Sequence, residues 1–279
     1  MDTSIGVRLD ALLCAARSRI DAVDAQWLLA HACARPRGWI YAHGDEFVDA
    51  TTQARFMELV ERREAGEPVA YLVGTRGFWN FDLLVTPATL IPRGETELLV
   101  EIALAHLPPM GRSSIVDLGT GSGAIAIALA RERPHALVVA VDASEAALMV
   151  ARTNAISLGV NSISFWRGDW CHALGDARFD MIVSNPPYIA ADDPHLREGD
   201  LRFEPGAALA SGLDGLDAIR SIIEQAPMHL VSDGWLMLEH GSTQAEAVRA
   251  LLAHAGFADI DSARDLEHRE RVTYARLPA

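Results

Sequence analysis

The stretch Ser114–Ala130, with the sequence SIVDLGTGSGAIAIALA, determines how the C-terminal part of the chain folds. It begins with a short and mostly apolar run, Ser114–Leu118, that predicts a buried β-strand. It ends in alanine, isoleucine and leucine residues that, together with the next arginine, predict a helix over Ala124–Arg131. The glycines between them allow the backbone to turn sharply into the helix N-terminus and to approach a ligand closely.

The alternation of strand and helix continues toward the C-terminus. Further short apolar runs predict the strands Ala136–Asp142, Ile163–Asp169, Phe179–Ser184 and Gly234–His240. Helices are predicted over Glu145–Leu158, Leu216–Ala226 and Gln244–Ala255. Continuous apolar strands that alternate with helices indicate a parallel sheet covered by helices on both faces.

Two final segments, Phe257–Arg264 and Arg271–Leu277, have strand character and no helix between them. Because parallel neighbours need a crossover connection, we expect these two strands to pair antiparallel. The predicted fold class is therefore α/β, with a Rossmann-like, doubly wound sheet and an antiparallel terminal strand.

The first part of the chain has a different pattern. Over residues 4–66 the apolar side chains recur three and four positions apart, which predicts a small helical module. The alternating stretch Phe78–Val85, FWNFDLLV, predicts a hairpin linker, and a further helix is expected to begin near Glu95. We therefore predict a helical domain with the start of the linker over residues 1–80 and the sheet domain over residues 81–279.

Composition excludes several classes of protein. No apolar run reaches the ~18 residues of a membrane span, and the N-terminus lacks a signal-peptide pattern, so we expect a cytoplasmic protein without a membrane partner. A net charge of −14 argues against stable binding to DNA or RNA, although it suits a basic protein partner. Three distant cysteines and scattered histidines predict neither a disulfide nor a metal site. We expect a monomer.

The glycine-rich turn predicts a cofactor site. Its residues are Gly119, Thr120, Gly121, Ser122 and Gly123. Asp142 ends the next predicted strand, where its carboxylate can accept hydrogen bonds from both hydroxyls of a ribose. Dinucleotide enzymes share this arrangement, so the turn and Asp142 leave NAD and S-adenosylmethionine as alternatives.

Three further features favour S-adenosylmethionine. Asp117 belongs to the form DLGTGSG, which is typical of methyltransferases and places an acidic residue toward the cofactor. Asp169 and Trp170 follow the third predicted strand, where they could contact the amino group and the ring face of an adenine; Trp170 is equally compatible with a partly buried core position. The predicted antiparallel last strand also favours a methyltransferase over a dehydrogenase.

The motif SNPPYI, Ser184–Ile189, follows the fourth predicted strand and raises a different question. Two successive prolines end the strand and hold one rigid local conformation, and a stiff strand exit is the simplest interpretation. At the carboxyl edge of a parallel sheet, however, substrates meet cofactors. At this edge Asn185 and Pro186 could contact a substrate, and the rigid Pro187 would hold them in position.

Methylation of an amide or an aromatic amine explains these residues. The nitrogen is a poor nucleophile because its lone pair is delocalised into the neighbouring π system. A site can accept hydrogen bonds from both N–H groups, through the Asn185 side-chain oxygen and the Pro186 carbonyl, and so aim the lone pair at the methyl group. Tyr188 offers a flat face for stacking. We predict Asn185, Pro186 and Tyr188 as catalytic and Asn185–Tyr188 as substrate-binding residues.

Other candidates are weaker. Glu239 and His240 could form an acid–base pair at the end of the fifth predicted strand, but packing at a strand end is the more frequent explanation. Residues 190–215 form a long connection without predicted structure, which suggests a lid or substrate loop. Within it, the motif RFEP, Arg202–Pro205, is expected to anchor the loop through an ion pair.

The chain resembles the peptide chain release factor glutamine methyltransferases along nearly its whole length. The matching stretches are FDLLVTPATLIPRGETELLVE, DLGTGSGAIAIALA, SNPPYIAADDPHLREGDLRFEP, GLDGLDAIR, LEHGSTQAEAVRALLAHAGF and RVTYAR. Asn-Pro-Pro-Tyr alone is shared with adenine-amine methyltransferases, whereas its combination with LIPRxETE and RFEP is far more specific. Gly94 departs from the proline that is usual in this family's IPRPETE segment.

This resemblance implies the roles of several residues. The glycine turn, Asp142 and Trp170 would bind S-adenosylmethionine, and Asn185 would contact both cofactor and substrate. Asn185–Tyr188 would hold the glutamine of the Gly-Gly-Gln motif in a release factor, and the helical module would dock that protein. The alternatives are an adenine-amine methyltransferase acting on DNA or RNA, and a non-catalytic binding partner of release factors. The first should carry a basic groove or a recognition domain, and the second should have lost Asn185 or the glycine turn; the sequence shows neither feature.

Overall fold

The computed structural model describes residues 6–279, and the chain divides into two units between Thr75 and Arg76. The first unit consists of helices and one short antiparallel strand pair, β1 with β2. In chain order its elements are β1 (Val7–Arg8), α1 (Leu9–Ala16), α2 (Ala22–Ala32), α3 (Arg37–Ala42), β2 (Phe47–Val48), α4 (Ala50–Glu64) and α5 (Val69–Val73). The helical pattern of residues 4–66 is thus confirmed over the described residues; Ser4 and Ile5 lie outside them.

Two helices of the first unit, α2 and α4, begin at aspartate caps, and they share a buried apolar cluster with α1. The Asp21 carboxylate accepts from the Val23 N–H at the start of α2, and Asp49 accepts from the Thr52 N–H at the start of α4, both over 2.7 Å. Phe56 of α4 is fully buried in a cluster with leucines of α1 and α2. Burial of this shared core stabilises helices that would be marginal alone.

A hairpin precedes the main sheet. Its strands are β3 (Thr75–Phe78) and β4 (Phe81–Leu84), which pair with each other as the alternating pattern predicted. Trp79 in the turn has a φ of +57°, and its N–H donates to the Glu97 carboxylate over 2.8 Å. Phe78 and Phe81 are buried in the core under the sheet, so this hairpin is part of the second unit's packing.

The second unit is a seven-stranded sheet with helices. Its elements are α6 (Thr96–His106), β5 (Ser114–Leu118), α7 (Ala124–Glu132), β6 (Leu137–Asp142), α8 (Glu145–Ser157), β7 (Ile163–Arg167), β8 (Phe179–Ser184), α9 (Asp217–His229), β9 (Leu230–Glu239), α10 (Ala245–His254), β10 (Ala258–Arg264) and β11 (Glu270–Arg276). The strand order is β10-β11-β9-β8-β5-β6-β7. Two buried apolar clusters, both containing strand and helix residues, pack within this unit.

Strand directions confirm the predicted fold class. β5 through β9 pair parallel, whereas β11 lies antiparallel between β9 and β10. The ends of most elements fall within a few residues of the predicted ones. The largest difference is at β9, which begins at Leu230 rather than at the predicted Gly234, because a register irregularity between β8 and β9 lets the strand continue across this glycine. Helix α9 correspondingly continues past Pro227 to His229.

The parallel directions bring five strand ends to one edge of the sheet. These are Leu118, Asp142, Arg167, Ser184 and Glu239. Each is followed by a loop, and ligands of open α/β sheets bind at this edge. The topology therefore brings the glycine turn, Asp142, Trp170 and Asn185 together although they are distant in sequence. No helix among residues 6–279 is long and apolar enough to cross a membrane.

Candidate active site

A cavity of about 370 Å³ opens at the carboxyl edge of the parallel strands. Its wall combines the glycine turn with three further loops that follow strand ends and with two segments from outside the sheet. The lining residues are Ala88, Thr89, Leu90, Gly119, Gly121, Asp142, Ala143, Ser144, Ala147, Gly168, Asp169, Trp170, Asn185, Pro187, Pro205, Ala207 and Ala208. Seven of the predicted site residues thus line one cavity: Gly119, Gly121, Asp142, Asp169, Trp170, Asn185 and Pro187.

The glycine turn has a conformation that requires glycine. Gly119 and Gly121 have φ values of +73° and +55°, which residues other than glycine rarely adopt. A Cβ on Gly119 would lie 3.2 Å from the Trp170 ring, whereas a Cβ on Gly121 would meet no atom of the structure within 4 Å and would project into open space. The N–H groups of Gly119 and Thr120 both donate to the Val141 carbonyl, which fixes the turn against β6.

Asp117 supports this turn from below. It is fully buried at the end of β5, where its Oδ2 accepts from the Thr120 hydroxyl over 2.6 Å and from the Ala126 N–H over 3.2 Å. Burial raises the pKa of Asp117 to about 7, against the opposing effect of these hydrogen bonds. Its Oδ1 has no partner among the described residues. Asp117, Thr120, Ser122 and Gly123 do not line the cavity, so their predicted contact with a cofactor stays a prediction.

Asp142 faces the cavity and also ties two loops together. Its Oδ2 accepts from the Gly121 N–H over 2.9 Å, and its Oδ1 accepts from the Ser144 N–H over 2.8 Å. Burial raises the pKa of this carboxyl above its ordinary value, and the two backbone donors oppose that rise. Each carboxylate oxygen retains a lone pair for another donor. The carboxylate could therefore accept two neighbouring hydroxyls of a bound ribose.

Asp169 and Trp170 lie side by side at the wall of the cavity, after the end of β7. Trp170 has a φ of +45°, an unusual conformation for a residue other than glycine. Its ring packs partly against the core cluster and partly against the turn at Gly119. Trp170 is thus a partly buried core residue that also lines the cavity, and its contact with an adenine ring stays a prediction.

Asn185 lies where β8 meets the cavity, and its amide is held on one side. Its Nδ2 donates to the Thr96 hydroxyl oxygen over 3.0 Å, which leaves the amide oxygen Oδ1 for another donor. The preceding strand end is fixed as well, since the buried Ser184 hydroxyl donates to the Leu118 carbonyl over 2.7 Å. A restrained amide with a free acceptor oxygen can orient an N–H group of a substrate.

The rest of the Asn-Pro-Pro-Tyr segment supports this arrangement without all of it reaching the cavity. Pro187 lines the cavity, Pro186 is buried, and Tyr188 is partly buried and packs against the second core cluster. The Tyr188 carbonyl accepts from Gln244 Nε2 over 3.0 Å. Burial raises the pKa of the Tyr188 phenol, so this hydroxyl stays protonated at neutral pH.

Glu239 and His240 do not form the acid–base pair that was weighed above. The His240 ring is buried, with Nε2 2.7 Å from the Thr273 hydroxyl and Nδ1 2.9 Å from the Gly241 carbonyl. Burial lowers the pKa of this imidazole. Glu239 is buried as well, and its surroundings are Thr96 and Tyr188 rather than His240. The packing interpretation holds for the histidine.

The predicted anchoring role of Arg202–Pro205 is confirmed through Glu204. Its buried side chain forms an ion pair with Arg93, and its Oε2 accepts from the Ile91 N–H over 2.9 Å. These contacts join the segment before α6 to the loop of residues 190–215. Both segments line the cavity, through Thr89 and Leu90 on one side and Pro205, Ala207 and Ala208 on the other. The loop of residues 190–215 was predicted as a lid or substrate loop, whereas the contribution of Ala88, Thr89 and Leu90 to the wall was not predicted.

Asn154 of α8 is a second residue that the sequence analysis missed. Its buried amide joins hairpin and turn: Nδ2 donates to the carbonyls of Leu84 and Ser122 over 3.0 and 2.9 Å, and Oδ1 accepts from the Leu84 N–H over 2.7 Å. A polar residue at an otherwise buried position of a helix was the available signal.

We expect Asn154→Ala to lower the free energy of unfolding by about 1–3 kcal/mol, because three backbone groups lose their partner in a buried environment. Chemical denaturation with an unchanged m-value measures this loss. Thr153→Ala, at the adjacent exposed position of the same helix, is the matched control and should change stability little. Equal stability of both variants would contradict a bridging role for Asn154.

Comparison with known proteins places these features in a family. The family model "Methyltransferase small domain" matches residues 94–198, and "PrmC N-terminal domain" matches residues 8–74. The release factor glutamine methyltransferase of Xylella fastidiosa is 55% identical over 268 residues, which cover 96% of this chain and 98% of that protein. The Escherichia coli protein of the same name is 48% identical over 253 residues, 91% of each chain.

A solved structure shows the same fold at lower similarity. The 16S ribosomal RNA methyltransferase of T. thermophilus, solved in complex with AdoMet and guanosine, superposes with a TM-score of 0.55 at 20% identity. The match covers 73% of this chain and 49% of that one. At this identity the likeness concerns the fold alone.

Proposed function

The chain belongs to the release factor glutamine methyltransferase family, and from this membership and its site we propose that it methylates the glutamine of the Gly-Gly-Gln motif in peptide chain release factors. The methyl donor would be S-adenosylmethionine, and the acceptor would be the side-chain amide nitrogen. The observation that supports this most is the Asn185 amide, which borders the cavity with Nδ2 bonded to Thr96 and with no hydrogen-bond donor to Oδ1 among residues 6–279.

The residues of the cavity fit S-adenosylmethionine. Gly121 leaves open space beside the turn, Asp142 has acceptor capacity for hydroxyls, and Asp169 and Trp170 offer a carboxylate and an aromatic face. When bound, this cofactor supplies an electrophilic methyl group on a positively charged sulfur. We propose that Gly119–Gly123, Asp142, Asp169 and Trp170 hold it, with Asp117 acting beneath the turn.

The chain's own contribution to the reaction is orientation of the amide nitrogen. An amide nitrogen shares its lone pair with the carbonyl, so it attacks an electrophile poorly unless it is aimed. Asn185 Oδ1 and the Pro186 carbonyl would accept hydrogen bonds from the two N–H groups of the substrate amide and so direct the nitrogen lone pair toward the methyl group. Pro187 prevents relaxation of the segment, and Tyr188 would stack on the planar amide.

The helical unit of residues 6–75 is our candidate for docking the release factor. It exposes Trp27 (47%) and Tyr41 (77%), and the Arg37 guanidinium lies 4.6 Å from the centre of the Trp27 ring. Exposed aromatic and arginine side chains are typical of protein interfaces. The net charge of −14 suits a basic partner.

Removal of this unit should separate docking from cofactor binding. We expect a protein that begins at Gly74, and so keeps the complete hairpin, to retain its affinity for S-adenosylmethionine. Its kcat/KM for a release factor should fall by about 10-fold or more, because the contacts that hold the partner are gone. Calorimetry and methyl-transfer assays measure the two quantities. Full activity of the shortened protein on the release factor would refute the docking role.

The proposed substrate is tested by incubating the protein with labelled S-adenosylmethionine and separate pools of release factor, DNA and RNA. Label is expected in the release factor only. Label in nucleic acid instead would favour the adenine-amine alternative, since Asn-Pro-Pro-Tyr suits both acceptors. The expected monomer and the absence of a stable nucleic-acid partner stay predictions, which light scattering at working concentrations can test.

A further inference from the structure

A buried carboxylate lies behind Asn185, on the side away from the cavity. Glu239 ends β9 and is 1% exposed, and Thr96 begins α6 and is 5% exposed. β8 and β9 are parallel neighbours with Ser184 opposite Leu238, so Asn185 and Glu239 follow each other in register at the strand ends. Sheet topology and the start of a helix thus bring an amide, a hydroxyl and a carboxylate together.

The three groups are connected through the Thr96 hydroxyl. Its oxygen accepts from Asn185 Nδ2 over 3.0 Å, and the hydroxyls of Thr96 and Tyr188 lie close enough to Glu239 to favour its ionised form. The second carboxylate oxygen, Oε2, has no partner among the described residues. A buried carboxylate with an unused oxygen is costly, which suggests a functional reason for its presence.

Hydrogen-bond donor and acceptor rules determine how the side chains of Glu239, Thr96 and Asn185 are oriented toward one another. An ionised carboxylate can only accept, so a Thr96 hydroxyl that interacts with Glu239 would direct its proton toward that carboxylate. The Thr96 oxygen is then available only as an acceptor, and the Asn185 amide must present Nδ2 to it. Oδ1 consequently faces the opposite direction, where a substrate N–H would need an acceptor. A reversed amide would place NH₂ against the NH₂ of the substrate.

We propose that Glu239, acting through Thr96, is a positioning residue that fixes which way the Asn185 amide faces and so keeps Oδ1 available to the substrate. This inference rests on the proposed function, because it assigns the orientation of the same acceptor. Neither Glu239 nor Thr96 is among the residues that line the cavity, so neither is expected to touch the substrate directly.

The proposal has a consequence for the dependence of activity on pH. Burial raises the pKa of Glu239 to about 7, while hydrogen bonding by Thr96 and the charge of Arg271 oppose the rise and the charge of Glu95 adds to it. Tyr188 also faces the carboxylate and stays protonated, and the neighbouring imidazole of His240 stays neutral as its pKa is lowered. Protonated Glu239 could donate to Thr96 and release the constraint on the amide.

The direction of the pH dependence follows from the requirement for ionised Glu239. Activity at saturating cofactor is expected to rise with pH through about 7, as Glu239 ionises. Asp117, whose pKa is also raised to about 7, sits under the glycine turn, so its ionisation should affect cofactor affinity rather than kcat at saturation. Measuring kcat at saturating cofactor therefore isolates the effect of Glu239 ionisation from that of Asp117.

Glu239→Gln is the first test, because glutamine has nearly the same shape and can present either an oxygen or an NH₂ to Thr96. We expect kcat to fall by about 10- to 100-fold, as misplacement of a reacting group does, and the rise through pH 7 to disappear. Cofactor Kd should change less than about 2-fold, since the cofactor residues are untouched. An unchanged melting temperature would show that the variant folds normally.

Thr96→Val and Thr96→Ser form the matched pair. Valine keeps the branched shape and removes the hydroxyl, so it should lower kcat about as much as Glu239→Gln, whereas serine keeps the hydroxyl and should restore most of the activity. The cofactor-free protein gives a readout without turnover. The Asn185 side-chain NH₂ signals in a ¹⁵N-labelled sample, assigned by their loss in Asn185→Asp, should shift in Thr96→Val and not in Thr96→Ser.

The outcomes separate this inference from the proposed function. Wild-type kcat and an unchanged rise through pH 7 in Glu239→Gln, with Asn185→Ala impaired, would overturn the positioning role alone. A merely structural role would lower the melting temperature of Glu239→Gln and leave the pH profile as it is, and this result too would overturn the proposal. Full activity of Asn185→Ala would overturn the role of Asn185 on which this inference rests, whereas failure of the wild type to methylate a release factor would overturn the proposed function itself.

Discussion

Replacing Asn185 by alanine is expected to lower kcat for methyl transfer to a release factor by roughly 10²- to 10³-fold, the effect of removing one preorganised polar group. The amide oxygen contributes most as the methyl group transfers, because it keeps the nucleophilic lone pair aimed. Cofactor Kd should change less than about 10-fold, since the glycine turn, Asp142 and Trp170 remain in place. Single-turnover transfer, with Kd measured alongside, separates the two effects.

Two pairs of substitutions, one at Asn185 and one at Tyr188, make this prediction more specific. Asn185→Asp keeps an acceptor oxygen and should retain more activity than Asn185→Ala, although it loses the donor to Thr96. Tyr188→Phe keeps the flat ring and should be mild, whereas Tyr188→Ala should be severe. Transfer at the wild-type rate in Asn185→Ala would leave the segment as a stiff strand exit only.

The second large effect is expected at Asp142. Asp142→Ala should weaken binding of S-adenosylmethionine by about 1–3 kcal/mol, or about 5- to 150-fold in Kd, because ribose hydroxyls lose a charged acceptor. Part of the loss would come from the protein, since Asp142 also accepts from Gly121 and Ser144. Asp142→Asn keeps one acceptor oxygen and should therefore lose less.

Cofactor binding by the wild type should also depend on pH through Asp142. Burial raises the pKa of this carboxyl above its ordinary value, so the charged acceptor is lost as the pH falls through that raised value. Affinity should then decrease toward acid pH, and the part of this decrease that Asp142 causes should be missing in Asp142→Asn. Calorimetry of folded variants measures both; an unchanged Kd in Asp142→Ala would show that Asp142 does not bind the ribose.

The parts of the site that follow strands directly were predictable from sequence. β5, the glycine turn and α7 are contiguous, and the segment after β8 carries its own signal in two prolines. Each of these positions depends on residues that are neighbours in the chain and on one topological rule, that parallel strands end at one edge. The positions of Asp142, Trp170 and Asn185 at the cavity could therefore be predicted without knowledge of any long-range contact.

The parts that were missed depend on contacts between distant residues. Glu204 binds the Ile91 N–H across 113 positions, and Asn154 joins Leu84 to Ser122. From the sequence, Glu239 has only its neighbour His240 as a candidate partner, whereas in the structure the hydroxyls of Thr96 and Tyr188 face it. Sequence spacing carries no information on which loop reaches a strand end, so these partners could not be assigned from local pattern.

The central claim is that this site transfers a methyl group to a glutamine amide that Asn185 aims. Mass-spectrometric mapping of the methyl group in a release factor, incubated with S-adenosylmethionine and either the wild type or Asn185→Ala, tests this claim most directly. We expect one methyl group on the side-chain nitrogen of the Gly-Gly-Gln glutamine with the wild type, and far less at equal time with the variant. Methylation of another residue, or equal yields from both proteins, would contradict it.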